Sequence, residues 1–259
     1  MKPLCKRAVF YFCSMRKVLA FPLSTLYLIL FGLTLFLFHP IQWVCFNWFG
    51  YNAHRMSVAI LNLTLMRCTH ILGTRYSFNN TQDIPTDRPA IMVLNHQSMH
   101  DIPPIIWFMR KHHPKFVSKM ELGKGIPSVS YNLRHGGSVL INRKDSRQSL
   151  TEIAKLGSYI EKHKRSAVIF PEGTRSKTGQ PKKFHTTGLK VLLKKSPSAI
   201  IIPISINNSW KMLKYGKFPY GLCNHITFEV HKPLENTGEA ELLIEKVEMT
   251  ITQAIIPSS

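Results

Sequence analysis

The sequence predicts an α/β fold, a mixed sheet flanked by helices and preceded by an N-terminal helical membrane anchor. Three observations carry that expectation. After Gly73, short apolar runs alternate with segments whose apolar residues recur every three or four positions. Several of those runs end on polar clusters fit for chemistry, as open α/β sheets place their ligands. Before them, residues 18–38 read VLAFPLSTLYLILFGLTLFLF, 21 residues without a charge, which as a helix span about 30 Å and match a bilayer core. The 259 residues divide into a basic segment with a two-helix anchor, 1–72, and a domain, 73–259.

In chain order, Lys2, Lys6, Arg7, Arg16 and Lys17 crowd the N-terminus, and no acidic residue precedes Asp83. The uncharged run that follows is too long for a signal-peptide h-region, and His39-Pro40-Ile41-Gln42-Trp43 offers no small-residue cleavage site, so the segment is expected to be retained. Trp43, Phe46, Trp48, Phe49 and Tyr51 then form an interfacial belt. Residues 56–72 are apolar but interrupted by Asn62, Arg67 and His70, the pattern of a helix lying on a membrane, with core packing as the competing reading. A single crossing with the basic end held inside would carry the domain to the far side. A hairpin or shallow two-helix anchor is therefore expected, leaving the domain at the cytoplasmic face.

The candidate strands are 75–79, 90–94, 115–118, 137–142, 167–170, 199–206 and 225–230. Helical spacing marks 147–163 through Leu150, Ile153, Ala154, Gly157 and Ile160, and 239–255 through Leu243, Val247, Ile251 and Ala254. Asp101, ahead of Pro103-Pro104, reads as the cap of a further helix. His112 and His113 are expected to be solvated.

Formal net charge is +20, from 34 Lys and Arg against 14 Asp and Glu, which calls for an anionic partner. A basic membrane-surface or nucleic-acid-binding protein is one class that fits. The basic residues do not interleave with aromatics as in RNA-binding modules, and the uncharged run points to lipid, so membrane lipids are expected and nucleic acid is not. The five cysteines form no C-x-x-C pair, and His96, His100 and Asp101 come without an H-E-x-x-H set. Neither a metal nor a resident cofactor is expected.

Three stretches carry chemistry. Asn95-His96-Gln97-Ser98-Met99-His100-Asp101 follows the run 90–94 and puts a base and a carboxylate on one turn, the minimum needed to take a proton from a hydroxyl; an ordinary loop contact has the same residues. Phe170-Pro171-Glu172-Gly173-Thr174-Arg175-Ser176 also starts at a strand end. There Gly173 permits close backbone approach, Thr174 supplies a hydroxyl, Arg175 a fork for phosphate or carboxylate, and Glu172 a group to orient that arginine. A strand ending near Asn142 delivers Arg143. No G-x-S-x-G elbow and no phosphate-loop spacing is present, which sets aside a serine hydrolase and a nucleotide triphosphatase.

Together N-H-x-x-x-x-D at 95–101, G-x-V-x-I-x-R ending at Arg143, F-P-E-G-T-R-S at 170–176 and Ile202-Pro203-Ile204 resemble the four ordered motifs of the glycerolipid acyltransferases, and more closely the 1-acylglycerol-3-phosphate (lysophosphatidate) acyltransferase family. Phe116-Val117-Ser118-Lys119-x-Glu121-Leu122 and Lys177-Thr178-Gly179 onward to Gly188 extend the match over roughly residues 73–210. The resemblance implies transfer of an acyl chain from an acyl-CoA or acyl carrier protein thioester to a lysophospholipid hydroxyl. It implies His96 as base with Asp101 behind it. Arg143, Glu172, Gly173, Thr174 and Arg175 would form the glycerophosphate site, Lys119 is a weaker candidate, and Pro203 would shape the acyl-binding wall. Asn142 departs from the Asp often found in the second motif, and the pattern does not separate lysophosphatidate from other lysolipid acceptors.

Overall fold

The structure, a computed structural model, describes residues 3–256, with side chains from Met15 onward. Lys2, Lys6 and Arg7 in the basic terminus lie outside those described side chains. Eight strands form one mixed sheet: β1 (Arg75–Asn79), β2 (Ala90–Leu94), β3 (Pro114–Lys119), β4 (Val139–Ile141), β5 (Ser166–Ile169), β6 (Ile200–Asn207), β7 (His225–Val230) and β8 (Leu234–Glu235). The helices are α1 (Pro3–Cys68), α2 (Ile102–Phe108), α3 (Val129–His135), α4 (Ser146–His163), α5 (Thr186–Lys195) and α6 (Ala240–Gln253).

The strand order is β1-β7-β6-β2-β5-β3-β4, with β8 beside β6. Within it β6, β2, β5, β3 and β4 are parallel in an unbroken row, while β7 and β8 run antiparallel to β6. Five strand ends therefore open on the same edge, and that edge receives the three chemical stretches.

Every residue of β2 is fully buried, which fits a central strand covered on both faces. Alternation divides its side chains. Ile91 and Val93 pack with Ile153, Leu156 and Ile160 of α4, Leu189 and Leu192 of α5, and Val247 and Ile251 of α6. Met92 and Leu94 pack the other way, with Ile105 of α2 and with Tyr27 and Cys68 of α1. Each such side chain contributes about 1.5–3 kcal/mol through burial.

The α1 run is two arms, because Gly50 at φ 75° and ψ −168° breaks the helical backbone. That conformation suits glycine. In the first arm Ala20, Ser24, Tyr27, Thr34 and Leu35 are buried, at helical spacing, while Leu26, Ile29, Leu33, Phe36 and Leu37 are exposed on another side. Ser24 Oγ accepts from Tyr220 N at 2.8 Å, and Ser128 Oγ donates to Leu35 O at 2.6 Å, so the arm is tied along the domain. In the second arm Val58, Leu61, Leu65 and Met66 are buried, the packing that stood as the competing reading for this segment. Among the described residues, one helical stretch, Met15–Leu72, is long and apolar enough to cross a membrane.

Three elements depart from expectation. The strand expected over 137–142 shrinks to β4, since Gly137 takes φ 87° and Ser138 Oγ accepts from Phe116 N, replacing a ladder bond. The helix α5 opens on Thr186-Thr187-Gly188, poor helix formers, and is held by burial of Leu189, Leu192 and Leu193. His112 and His113 are half-buried rather than solvated, His113 Nδ1 lying 3.0 Å from Tyr51 Oη.

Candidate active site

The end of β2 turns sharply because its loop is bonded from several sides. Asn95 locks the turn to the neighbouring strand, donating from Nδ2 to Ile206 O at 2.9 Å and accepting from Ile206 N at 2.7 Å. Asp101 takes the expected N-cap position of α2 without a side-chain cap bond, and Ser98 caps the short 3-10 turn before it, Met99–Asp101: its hydroxyl accepts from His100 N at 3.0 Å, and the Asp101 carboxylate reaches back to Ser98 N at 2.9 Å. This reciprocal pair satisfies two amide donors at once.

Asp101 is fully buried, yet its oxygens are well supplied with donors. Oδ2 accepts from His96 Nδ1 at 2.8 Å, Gln97 N at 2.7 Å and Ser98 N at 2.9 Å, and Oδ1 accepts from Ser209 Oγ. An ionised carboxylate can only accept, so Nδ1 of His96 carries the proton and Nε2 presents a lone pair. The His96 ring stacks on Phe170 at 4.2 Å between centroids, and its side chain is 11% exposed. A base with a fixed tautomer thus meets the outside through a narrow opening.

Behind it runs a line of hydroxyls and one further imidazole. Ser209 Oγ also bonds Ser98 Oγ at 3.0 Å, His100 Nδ1 lies 3.4 Å from Ser98 Oγ, and His100 Nε2 lies 3.0 Å from Tyr27 Oη of α1. Burial pushes the His100 imidazole down to about 4, so it is neutral and supplies one donor and one acceptor to the line.

The end of β5 is stitched to the same turn. Glu172 Oε1 accepts from His96 N at 3.3 Å, and Ser176 N donates to His96 O at 2.7 Å. Glu172, expected to orient Arg175, faces the His96 backbone instead. It is 2% exposed with Oε2 unpaired, and burial pushes its carboxyl up to about 7 against the pull of the His96 amide. Gly173 adopts φ 68°, and a Cβ there would lie 3.2 Å from His185 Cδ2. Thr174 Oγ1 accepts from Lys182 Nζ at 2.9 Å, which also donates to Arg175 O at 2.9 Å.

The exposed Arg175 follows this turn, Lys119 ends β3, and the exposed Arg143 lies two residues past β4. Since β2, β5, β3 and β4 are neighbours in that order, the row runs from His96 through Arg175 to Lys119 and Arg143. Lys119 is paired to Glu121 at 2.8 Å, whose carboxyl Lys119 and Arg143 hold below the usual range. Pro203 lies within β6 opposite Val93, one register step from the strand end facing the His96 turn. Sequence reasoning missed Ser209, Tyr27 and Lys182, and named Phe170 as the start of its motif without its stacking on His96. Of those missed, Lys182 alone had a local signal, being basic and six residues beyond the F-P-E-G-T-R-S stretch.

Residues 75–207 match a family model described as Acyltransferase. A chloroplastic 1-acyl-sn-glycerol-3-phosphate acyltransferase of Arabidopsis thaliana is 27% identical over 184 residues, 70% of this chain and 49% of that protein. The enzyme of the same name from Helicobacter pylori is 33% identical over 133 residues, 48% of this chain and 54% of that one. The chain spans about half the length of the curated relatives it matches. The crystal structure of the 1-acyl-sn-glycerophosphate (LPA) acyltransferase PlsC from Thermotoga maritima shares the fold, with TM-score 0.72 at 23% identity, over 93% of this chain and 95% of that one.

Proposed function

Given that this chain belongs to the acyltransferase family, we propose that it moves an acyl chain from an acyl-CoA or acyl carrier protein thioester to the free hydroxyl of 1-acylglycerol-3-phosphate, giving phosphatidic acid. The observation that carries the reading is the 2.8 Å contact between His96 Nδ1 and a buried Asp101, which leaves Nε2 as the base. The acceptor hydroxyl gives its proton to Nε2 as its oxygen attacks the thioester carbonyl. Asp101 stabilises the imidazolium so formed. The tetrahedral intermediate then collapses, the C–S bond breaks, and the thiolate leaves and takes the proton from His96. A thiol of pKa about 8.5 is a good leaving group, so the transfer proceeds without an enzyme nucleophile.

Arg175 and Arg143 receive the acceptor phosphate in charge-assisted bonds, with Lys119 beside them. Gly173 and Thr174 form the near wall, and Glu172 shapes it from beneath through the His96 turn. The exposed apolar side of α1, with its other side bonded along the domain, supports a shallow attachment at the bilayer surface rather than a crossing; the cytoplasmic face suits the basic N-terminus. No resident cofactor is required. Labelled acyl-CoA and acyl carrier protein, each offered with a panel of lysolipids, test the assignment. Transfer to lysophosphatidate above uncharged or zwitterionic lysolipids is expected, and failure to acylate any lysolipid from either donor refutes it.

A further inference from the structure

The opposite edge of the sheet carries a concentration of charge that acyl transfer does not use. Lys115 stands at the start of β3 and Arg165 immediately precedes β5. Lys119, in the row near His96, is four residues further along β3 and so about 13 Å away. Past the Gly50 break of α1, Tyr51, His54 and Arg55 come down on this edge. The Arg165 guanidinium carbon lies 3.7 Å from the Tyr51 ring centroid, and Lys115 Nζ lies 4.9 Å from it. One ring thus serves two cations. Arg55 donates to Arg110 O at 2.7 Å, and His54, Arg55, Arg110, His113 and Lys115 line a cavity of about 30 Å³.

The cluster lacks its counter-charge. Among the described residues, no carboxylate lies within ion-pair distance of Arg55, Lys115 or Arg165, although buried charges are ordinarily paired. Lys115 is 6% exposed and His54 1%. His54 Nε2 and Arg55 Nε are both buried without a hydrogen-bond partner. Burial, then Arg165 and Arg55, pushes the Lys115 ammonium down to about 7. Water in the cavity would answer the unpaired nitrogens but not the repulsion. A cavity of this size takes about two waters, or one tetrahedral anion, and a group with several acceptor oxygens answers both needs.

We propose that this pocket binds a phosphate group, held by Arg55 and Lys115 with His54 completing the cradle and Arg165, outside the lining, adding positive charge from across the Tyr51 ring, and that it fastens the second arm of α1 to the start of β3. The phosphate belongs either to an anionic lipid headgroup or to a free anion. Trp48 and Phe49, 72% and 69% exposed just before the break, bring a bilayer surface within reach of the pocket.

Thermal unfolding of the full chain in detergent tests this, because its readout is independent of acyl transfer. The ligands are inorganic phosphate, chloride at equal ionic strength, short-chain phosphatidylglycerol and a short-chain diacylglycerol. The proteins are wild type, Lys115→Met, Arg55→Gln and, as a control at the other edge, Arg175→Ala. Without ligand, Lys115→Met is expected to unfold at or above the wild-type temperature, since it deletes an unpaired buried cation. Its failure to respond to ligand is then not misfolding. At a hundredfold excess over Kd, phosphate or phosphatidylglycerol is expected to raise the unfolding temperature of wild type and Arg175→Ala alike, by roughly 5–10 °C, and to leave both pocket variants nearly unmoved. A response to inorganic phosphate assigns the free anion, and a response to phosphatidylglycerol alone assigns the lipid headgroup. Equal shifts in wild type and the pocket variants, a shift that chloride or diacylglycerol reproduces, or no shift with any ligand overturns the proposal.

Discussion

Replacing Glu172 by glutamine removes a titration while keeping an acceptor for the His96 amide. In the wild type the carboxyl is 2% exposed, one oxygen is unpaired, and burial raises its pKa from 4.5 to about 7. A change of that size corresponds to about 3 kcal/mol. The folded chain holds this proton more tightly than the unfolded chain. The associated stability is therefore fully present below pH 4.5 and is lost as pH rises through 7. Glutamine mimics the protonated form at every pH, so Glu172→Gln is expected to match wild type near pH 4.5 and to exceed it by up to about 3 kcal/mol at pH 8. Urea unfolding of both proteins in detergent across that range measures the difference directly. Stability curves that stay parallel from pH 4.5 to 8 refute the buried, proton-holding Glu172 described here.

Three further outcomes are expected. Ser209→Ala deprives Asp101 Oδ1 of its donor and should lower stability by about 1–3 kcal/mol in unfolding measurements, with kcat falling more than KM changes. Arg175→Ala should raise KM for lysophosphatidate at least about tenfold, consistent with loss of a charge-assisted bond, and should leave KM for a phosphate-free lysolipid nearly unchanged; equal losses on both acceptors would argue against its phosphate role. Asn95→Ala severs both bonds to Ile206 and leaves a buried N–H and C=O exposed to nothing, costing about 2–4 kcal/mol in chemical denaturation.

The His96 turn was legible because its logic is local. A five-residue apolar run, then a base and a carboxylate five residues apart, needs no distant partner to be read as a strand end with a held imidazole. Ser209 reaches Asp101 from 108 residues away in sequence, and Tyr27 reaches His100 from 73 away. No spacing rule reports such contacts, since they exist only once β6 and α1 have packed beside β2. Glu172 was misdirected for a related reason: the nearest cation in sequence is Arg175, but the adjacency of β5 and β2 brings the His96 amide closer. In residues 18–38 the near-uniform apolarity hides which side packs on the domain. The buried side proves to carry Ser24, Tyr27 and Thr34, the polar residues of the run apart from Thr25.

The central claim is that His96 Nε2 is the base for acyl transfer, and turnover by His96→Ala tests it most directly. Initial rates with saturating acyl donor and lysophosphatidate should fall by about 10²–10⁴-fold, while lysophosphatidate binding, held by Arg143 and Arg175, should stay within about twofold of wild type. Turnover near the wild-type rate in a folded His96→Ala protein would contradict the account.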